Sequence, residues 1–541
     1  MLTPPPVSPS IQSVVRSQIR IGPLDHADCN GLSLPRQQVW HPTRAALISR
    51  FLSRRALHAD RFLYATPGWL GLAAEDVEFR SKGGVTLRGW LLRGPKRGTV
   101  VFCPGNAGNV SSHLEYVRLG LRAGYSVLGF DYRGFGRSDG EADLRAVVHD
   151  VEAACEFIAV HTREPYALFG LSLGAGAALA AAGRTAAAAA GVVLEGACDI
   201  RGMLRGLLAE GSFGPVSIRA VGGLTGIFAE RSRRRLVSSR LPSPLASLLA
   251  RLSAAFYPFE GKSPGSLAAR LGTKPVLLVH GVEDEILPFE AAIDLHEKLP
   301  GPRRIWLVPE TGHAQEPALA RGLEYAAQLE DFLDCAFAGS PPSTPVVRVA
   351  DAHAHPPGTG RVRTRLGLAA VASPAPGPVL LSVVGGAVLR QTLLDGPEEA
   401  VLELPGPVER IFTLRVLRTD RDARADRYVS GGYRSAFRAM VEAVNGRDLR
   451  MLDAALEAHM RLARAELFDF FAALYCLRGV QAALGEVPSW PGRDPAFARR
   501  NLERFLVLWT ANPALPGEHV AESPARWARE QLAKARRAPP A

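Results

Sequence analysis

Between Thr99 and Val308 the chain repeats one pattern: a short, almost wholly apolar run ending in turn residues, followed by a helix-length segment. The runs are TVVFC before Pro104-Gly105, YSVLGF before Asp131, YALFG before Leu171, GVVLE before Gly196, PVLLVH before Gly281 and RIWLV before Pro309. A strand with one wet face alternates polar and apolar residues, whereas a strand apolar at every position is buried on both faces. Such strands separated by helices imply a parallel sheet covered on both sides. Upstream, VEFRSKGGVTLRGWLLR alternates on either side of Gly83-Gly84 and reads as a hairpin. The pattern stops near Phe337, where AGSPPSTP supplies a Pro/Ser linker.

Beyond the linker, VVRVA, PVLLSVV, AVLEL and IFTLRVL are separated by Gly and Pro turns and read as strands. SAFRAMVEAV and RMLDAALEAHMRLARAELFDFFAALY repeat apolar residues at three and four and read as helices. The expected organisation is an accessory arm over 1–60, an α/β domain over 61–338 with an insertion at about 199–270, and a linker over 339–345. A β-rich segment over 346–418 and a helical region over 419–541 follow. Few contacts are expected to cross a Pro/Ser boundary, so a fragment ending near Gly339 is expected to fold alone.

Composition narrows the function classes. The chain of 541 residues is 47% hydrophobic and 22% charged, too apolar for a disordered polymer. No stretch approaches the ~20 apolar residues of a spanning helix. The most apolar candidate near the N-terminus, Ala45 to Leu57, carries Arg50, Arg54 and Arg55. The opening MLTPPPVSPS lacks the basic start and apolar run of a secretory signal, so the expected compartment is the cytoplasm. The six cysteines are scattered without a CxxC pair and read as incidental thiols. The net charge of +11 invites a nucleic-acid reading, but arginine dominates the basic count and alanine, glycine and proline are heavy throughout, a compositional bias, and no nucleic-acid partner is expected. Asp351, His353 and His355 in DAHAH share a strand face as metal ligands might, but no further ligand accompanies them, and no metal or cofactor is expected.

The chemistry concentrates around Gly170-Leu171-Ser172-Leu173-Gly174, which joins the run YALF to the small-residue segment AGAALAAAG. A serine between glycines at a strand-to-helix joint is a nucleophile elbow, a turn so tight that only glycine fits on either side. The following helix presents its amides and positive dipole end beneath the hydroxyl. A serine hydroxyl is a weak nucleophile near neutral pH and needs a base, which in turn needs an acid to fix its tautomer. With the partners following in the order nucleophile, acid, base, PVLLVHGVEDEILP offers Asp284, flanked by Glu283 and Glu285, and RIWLVPETGHAQEP offers His313. Oxyanion donors would be the amides of Leu173, directly after the nucleophile, and of Asn106 in the loop after TVVFC.

These residues give the segment from about Phe62 to Phe337 a resemblance to the α/β-hydrolases, in the branch of serine aminopeptidase-like and lysophospholipase-like proteins. PGNAGN, FDYRGFGRSDG, GLSLG, HGVEDEILP and the Gly312-His313 pair occur in that family's order and spacing. The resemblance implies an α/β-hydrolase fold and a serine hydrolase of the esterase, lipase or peptidase kind, acting on a small acyl substrate through an acyl-enzyme. One departure is Pro104, where the family usually has histidine before the oxyanion-loop glycine. The resemblance also places a lid at about Asp199 to Arg270. Seven Arg against two Glu between 211 and 260, the run Arg231, Arg233, Arg234 and Arg235 among them, would suit a lipid-like or anionic substrate and peripheral membrane contact, or simply a solvated cap. The same triad would serve an acyltransferase, and the same fold a catalytically silent binding protein.

Overall fold

The computed structural model describes residues 57–184, 189–197, 264–284, 287, 289–341, 347–354, 362–368, 378–385, 388–394, 399–404, 409–417, 432–462, 466–487, 490, 493–510 and 523–537. The arm before residue 57, the arginine run, most of the expected lid, Glu285 and His355 lie outside the described residues. Of the described cysteines, Cys103, Cys155, Cys335 and Cys476 are free thiols.

The main sheet has eight strands: β1 (Glu75–Arg80), β2 (Thr86–Leu92), β3 (Lys96–Cys103), β4 (Tyr125–Phe130), β5 (Tyr166–Leu171), β6 (Ala189–Glu195), β7 (Val276–Gly281) and β8 (Arg303–Val308). Their order is β1-β2-β4-β3-β5-β6-β7-β8. β2 alone runs opposite to the other seven strands, and the hairpin joining it to β1 turns at Gly83 and Gly84, both at positive φ. All other pairs are parallel. Sequence order reverses at β3, whose neighbours are β4 on one side and β5 on the other. The crevice at the carboxyl ends of such strands is where open α/β sheets bind ligands.

The covering helices are α1 (Leu114–Arg122), α2 (Val147–His161), α3 (Leu173–Ala182), α4 (Pro264–Ala268), α5 (Phe289–Lys298), α6 (Glu316–Ala320) and α7 (Gly322–Phe337). Successive strand residues point to opposite faces. Val100 and Phe102 of β3, Phe169 of β5 and Trp306 of β8 therefore enter one core with α1 and α7. Val101 and Cys103, Leu168, and Ile305 and Leu307 enter a second core with α2, α3 and α5. Both sets are apolar because both faces are covered, which is why the strands read as continuous apolar runs.

After α7 come β9 (Val347–Ala354), β10 (Val362–Leu368), β11 (Val379–Gly385), β12 (Val388–Leu394), β13 (Glu399–Leu404) and β14 (Arg410–Arg415). They form two antiparallel three-stranded sheets, ordered β9-β10-β13 and β12-β11-β14. The β-rich reading covers this region, although VRTRLGL and VLRQTLL interrupt their apolar residues too often to have stood out as strands. The second small sheet lies beside the edge strand β8, where Gln391 donates to the Leu307 carbonyl at 2.8 Å and satisfies an acceptor that an open edge would expose.

Among the described residues five helices follow: α8 (Tyr433–Gly446), α9 (Leu449–Met460), α10 (Glu466–Ala483), α11 (Pro495–Thr510) and α12 (Pro524–Arg537). The run RMLDAALEAHMRLARAELFDFFAALY spans α9 and α10, and Asp448 starts α9 by accepting from the Arg450 and Met451 amides. Packing also links residues on the two sides of the expected boundary near Gly339. A single apolar cluster runs from Phe102, Tyr116 and Tyr325 to Tyr433, Phe437, Phe471 and Trp509. Polar links cross as well: Gln328 of α7 donates to the Arg415 carbonyl, and the Leu417 amide donates to Glu324. Pro/Ser composition marks how the chain leaves α7, whereas surface burial decides where it packs afterwards. Phe437→Ala should therefore destabilise the whole molecule by about 3–5 kcal/mol. Denaturant unfolding should lower a single shared transition; separate transitions with only one affected would show that the regions fold independently.

Candidate active site

Strand β5 ends at Leu171 and α3 begins at Leu173, so one residue makes the entire turn. That residue, Ser172, sits at φ 53° and ψ −109°, a conformation costly for a side chain. Its amide donates to the Glu195 carbonyl at the end of β6, at 2.8 Å. A methyl on Gly170 would collide with the Gly174 carbonyl and Ala175 Cα, and one on Gly174 with the carbonyls of Cys103 and Pro104. Both glycines are thus required by backbone approaching backbone: one lets the strand double back onto the helix, the other lets the helix sit against the end of β3.

The turn presents Ser172 Oγ 2.9 Å from His313 Nε2, and His313 Nδ1 lies 2.7 Å from Asp284 Oδ2. His313 occupies the loop between β8 and α6, and Asp284 follows β7. Of the carboxylates in VEDE, the structure aims Asp284 at the imidazole, while Glu283 is exposed and pairs with Arg434. The Leu287 amide donates to Asp284 Oδ1 at 2.8 Å, and His280 Nε2 donates to the Leu287 carbonyl at 2.7 Å. Both oxygens of Asp284 are therefore oriented, Oδ1 by the Leu287 amide and Oδ2 by His313. Burial pushes the His280 pKa below the ordinary value, against the opposing pull of Asp284. Burial alone would raise Asp284, but His313 and the Leu287 amide hold it below the usual carboxylate range.

Burial favours the neutral imidazole of His313, yet Asp284, Glu195 and Glu316 outweigh that and raise its pKa above the ordinary 6.5. Glu195 escaped the sequence reading. It is fully buried at the end of β6 and accepts from Tyr116 Oη at 3.0 Å, Tyr325 Oη at 2.5 Å and the Gln315 amide at 3.0 Å. Burial pushes its carboxyl up to about 7. The available signal was a charged residue closing the otherwise apolar run GVVLE. Glu316, also missed, is buried three residues after His313 and accepts from the Gly312 amide at 2.6 Å.

Asn106 lies in the loop between β3 and residues 107–108, which pair in parallel with residues 58–59, while Leu173 is the first residue of α3. Pro104 keeps its carbonyl satisfied by Tyr132 Oη at 3.1 Å. Asn109 Nδ2 donates to the Asp60 and Phe62 carbonyls, and Asp131 accepts from the Val110 amide at 2.8 Å, so the loop is pinned from two sides. Among the described residues no group of three His, Cys, Asp or Glu is placed to hold a metal ion.

The model of the alpha/beta hydrolase family matches residues 100–329, a span that contains the elbow and both of its partners. The chain carries an alpha/beta hydrolase domain. The uncharacterized protein YfhR of Escherichia coli is 25% identical over 296 residues, covering 53% of this chain and 89% of that one. The alpha/beta hydrolase domain-containing protein WAV2 of Arabidopsis thaliana is 34% identical over 119 residues, which are 20% of this chain and 38% of that one. The Pyrococcus furiosus esterase Pf2001 superposes with a TM-score of 0.40 and 17% identity, over 52% of this chain and 98% of that structure. The similarity to YfhR thus spans about half of this chain.

The charge arrangement in the hydrolase domain can be checked without a substrate. Titration of His313 by NMR should give a midpoint above 6.5. In Glu195→Gln, loss of a negative charge beside the ring should lower that midpoint, because the imidazolium loses a stabilising partner. An unchanged midpoint would detach Glu195 from the base.

Proposed function

We propose that the chain is a serine hydrolase that transfers the acyl group of a small ester, thioester or amide to water. The observation that carries this reading is the hydrogen-bonded line from Ser172 Oγ through His313 to Asp284, at 2.9 and 2.7 Å. As Ser172 Oγ attacks the acyl carbonyl, its proton passes to His313 Nε2, and Asp284 accepts from Nδ1–H and stabilises the imidazolium. The amides of Leu173 and Asn106 receive the oxyanion, aided by the positive end of α3. The imidazolium then protonates the leaving group, which departs and leaves an ester on Ser172. A water molecule, deprotonated by His313, attacks that ester, and collapse of the second tetrahedral intermediate returns the proton to Ser172 Oγ and releases the acid.

Elevation of the His313 pKa has a consequence for the rate: the base is protonated at acid pH, so kcat/KM rises as pH passes upward through a midpoint above 6.5. The reading is tested with a series of p-nitrophenyl esters of increasing acyl length alongside aminoacyl amides. Ser172→Ala should lose activity by several powers of ten, and Asp284→Asn by roughly 10⁴-fold through the wrong imidazole tautomer. Retention of more than about a tenth of the rate by Ser172→Ala would contradict the role given to the hydroxyl. Product analysis in the presence of alcohols or amines separates hydrolysis from acyl transfer to those acceptors.

A further inference from the structure

The C-terminal helices reach the loops that carry the site. Arg434, in the first turn of α8, forms an ion pair with the Glu283 carboxylate, donates to the Glu283 carbonyl at 3.3 Å and places Nε 3.0 Å from Glu316 Oε2. One turn later, Arg438 Nε donates to Glu316 Oε1 at 2.8 Å. Glu283 immediately precedes the acid, and Glu316 holds the amide of Gly312, which immediately precedes the base. The two loops are also tied directly, the Glu283 amide donating to the Thr311 carbonyl at 2.8 Å. Arg438 packs so closely that a methyl on Gly312 would collide with its guanidinium and with Glu316.

A second contact is made on the other side of the site. Arg478 of α10 is buried, lies 3.7 Å from the centroid of the Phe62 ring and donates to Asp60 Oδ2 at 2.8 Å. The Asp60 backbone donates to the Gly108 carbonyl and accepts from Asn109 Nδ2, two and three residues beyond Asn106. Exposed ion pairs contribute little, but Glu316 and Arg478 are buried, and loss of one partner leaves the other charge desolvated and free to reorganise its loop.

We propose that the C-terminal helices complete the active site, with Arg434 and Arg438 as positioning residues that fix the acid and base loops in register with Ser172. The inference rests on the serine hydrolase reading above and deepens it: the second half of the chain sets the geometry of the first. Guanidiniums suit this task because one planar fork spans two acceptors on two different loops. The charged and titratable groups facing His313 are Asp284 and His280 from β7 and its loop, Glu195 from β6 and Glu316 from α6. Arg434 and Arg438 act on the ring through Glu316.

The test uses the full chain, an alkyl fluorophosphonate as the probe of Ser172, and the rate of labelling as a function of pH. In Arg434→Ala/Arg438→Ala the labelling rate should fall about 10- to 100-fold through misplacement of the loops. Its acid limb should also move to higher pH, since Glu316 without its cations stabilises the imidazolium more. A merely structural role would leave that midpoint in place. Arg434→Lys/Arg438→Lys should restore the midpoint and only part of the rate, because lysine keeps the charge and loses the fork. Glu316→Gln keeps the side chain's shape while removing its charge and one of its acceptors, and should move the limb to lower pH, so it decides the matter if the double alanine variant does not fold. Variants that fold, label at the wild-type rate and keep the wild-type midpoint would overturn the proposal. A wild-type chain that neither labels nor hydrolyses would instead overturn the serine hydrolase reading beneath it.

Discussion

Everything in the candidate site hangs on the turn at Ser172, where one residue reverses the chain between a buried strand and a buried helix. That reversal is possible only because two glycines allow carbonyl oxygens to occupy the space of their missing side chains. The turn fixes Oγ above the sheet, anchors its amide to the end of β6, and sets the helix amides beneath. A strained φ of 53° persists because strand, helix and neighbouring strand over-determine it. Given that fixed point, the rest of the site is a matter of bringing loops from β3, β7 and β8 to it.

The loops are held by a network of charged groups as well as by packing. Asp284 and Glu195 are carboxylates withdrawn from water around one imidazole, and each is satisfied by specific donors: Leu287 for the first, two tyrosines and Gln315 for the second. Such groups are costly to bury without partners, so the donors and carboxylates hold one another in place. Glu316 extends the network outward to the C-terminal helices through Arg434 and Arg438. The same helices share an apolar cluster with the sheet, so packing and electrostatics join the two halves of the chain in the same region.

The sequence made the main sheet legible because strands buried on both faces carry an unambiguous signal, an apolar residue at every position. GLSLG was legible because the elbow demands glycine for a local reason, backbone approaching backbone at Gly170 and Gly174. The choice of Asp284 over its neighbours depended on which carboxylate the loop turns inward, a tertiary fact that the string VEDE does not contain. Glu195 and Glu316 were hidden because a carboxylate at the end of a strand or the start of a helix is ordinary in sequence and becomes meaningful only once it is buried beside the His313 imidazole. The packing of α8 to α11 on the hydrolase domain was hidden for a similar reason: a Pro/Ser linker describes local chain stiffness and says nothing of where the following helices dock.

The central claim is that Ser172 Oγ becomes covalently acylated during turnover. The most direct measurement is acid quenching during hydrolysis of a p-nitrophenyl ester, followed by proteolysis and mass spectrometry. The account predicts the acyl mass increment on the peptide containing Ser172, formed in step with the first equivalent of p-nitrophenol and absent from Ser172→Ala. Under conditions where the first equivalent is released faster than later ones, an increment on another residue, or none on Ser172, would contradict it.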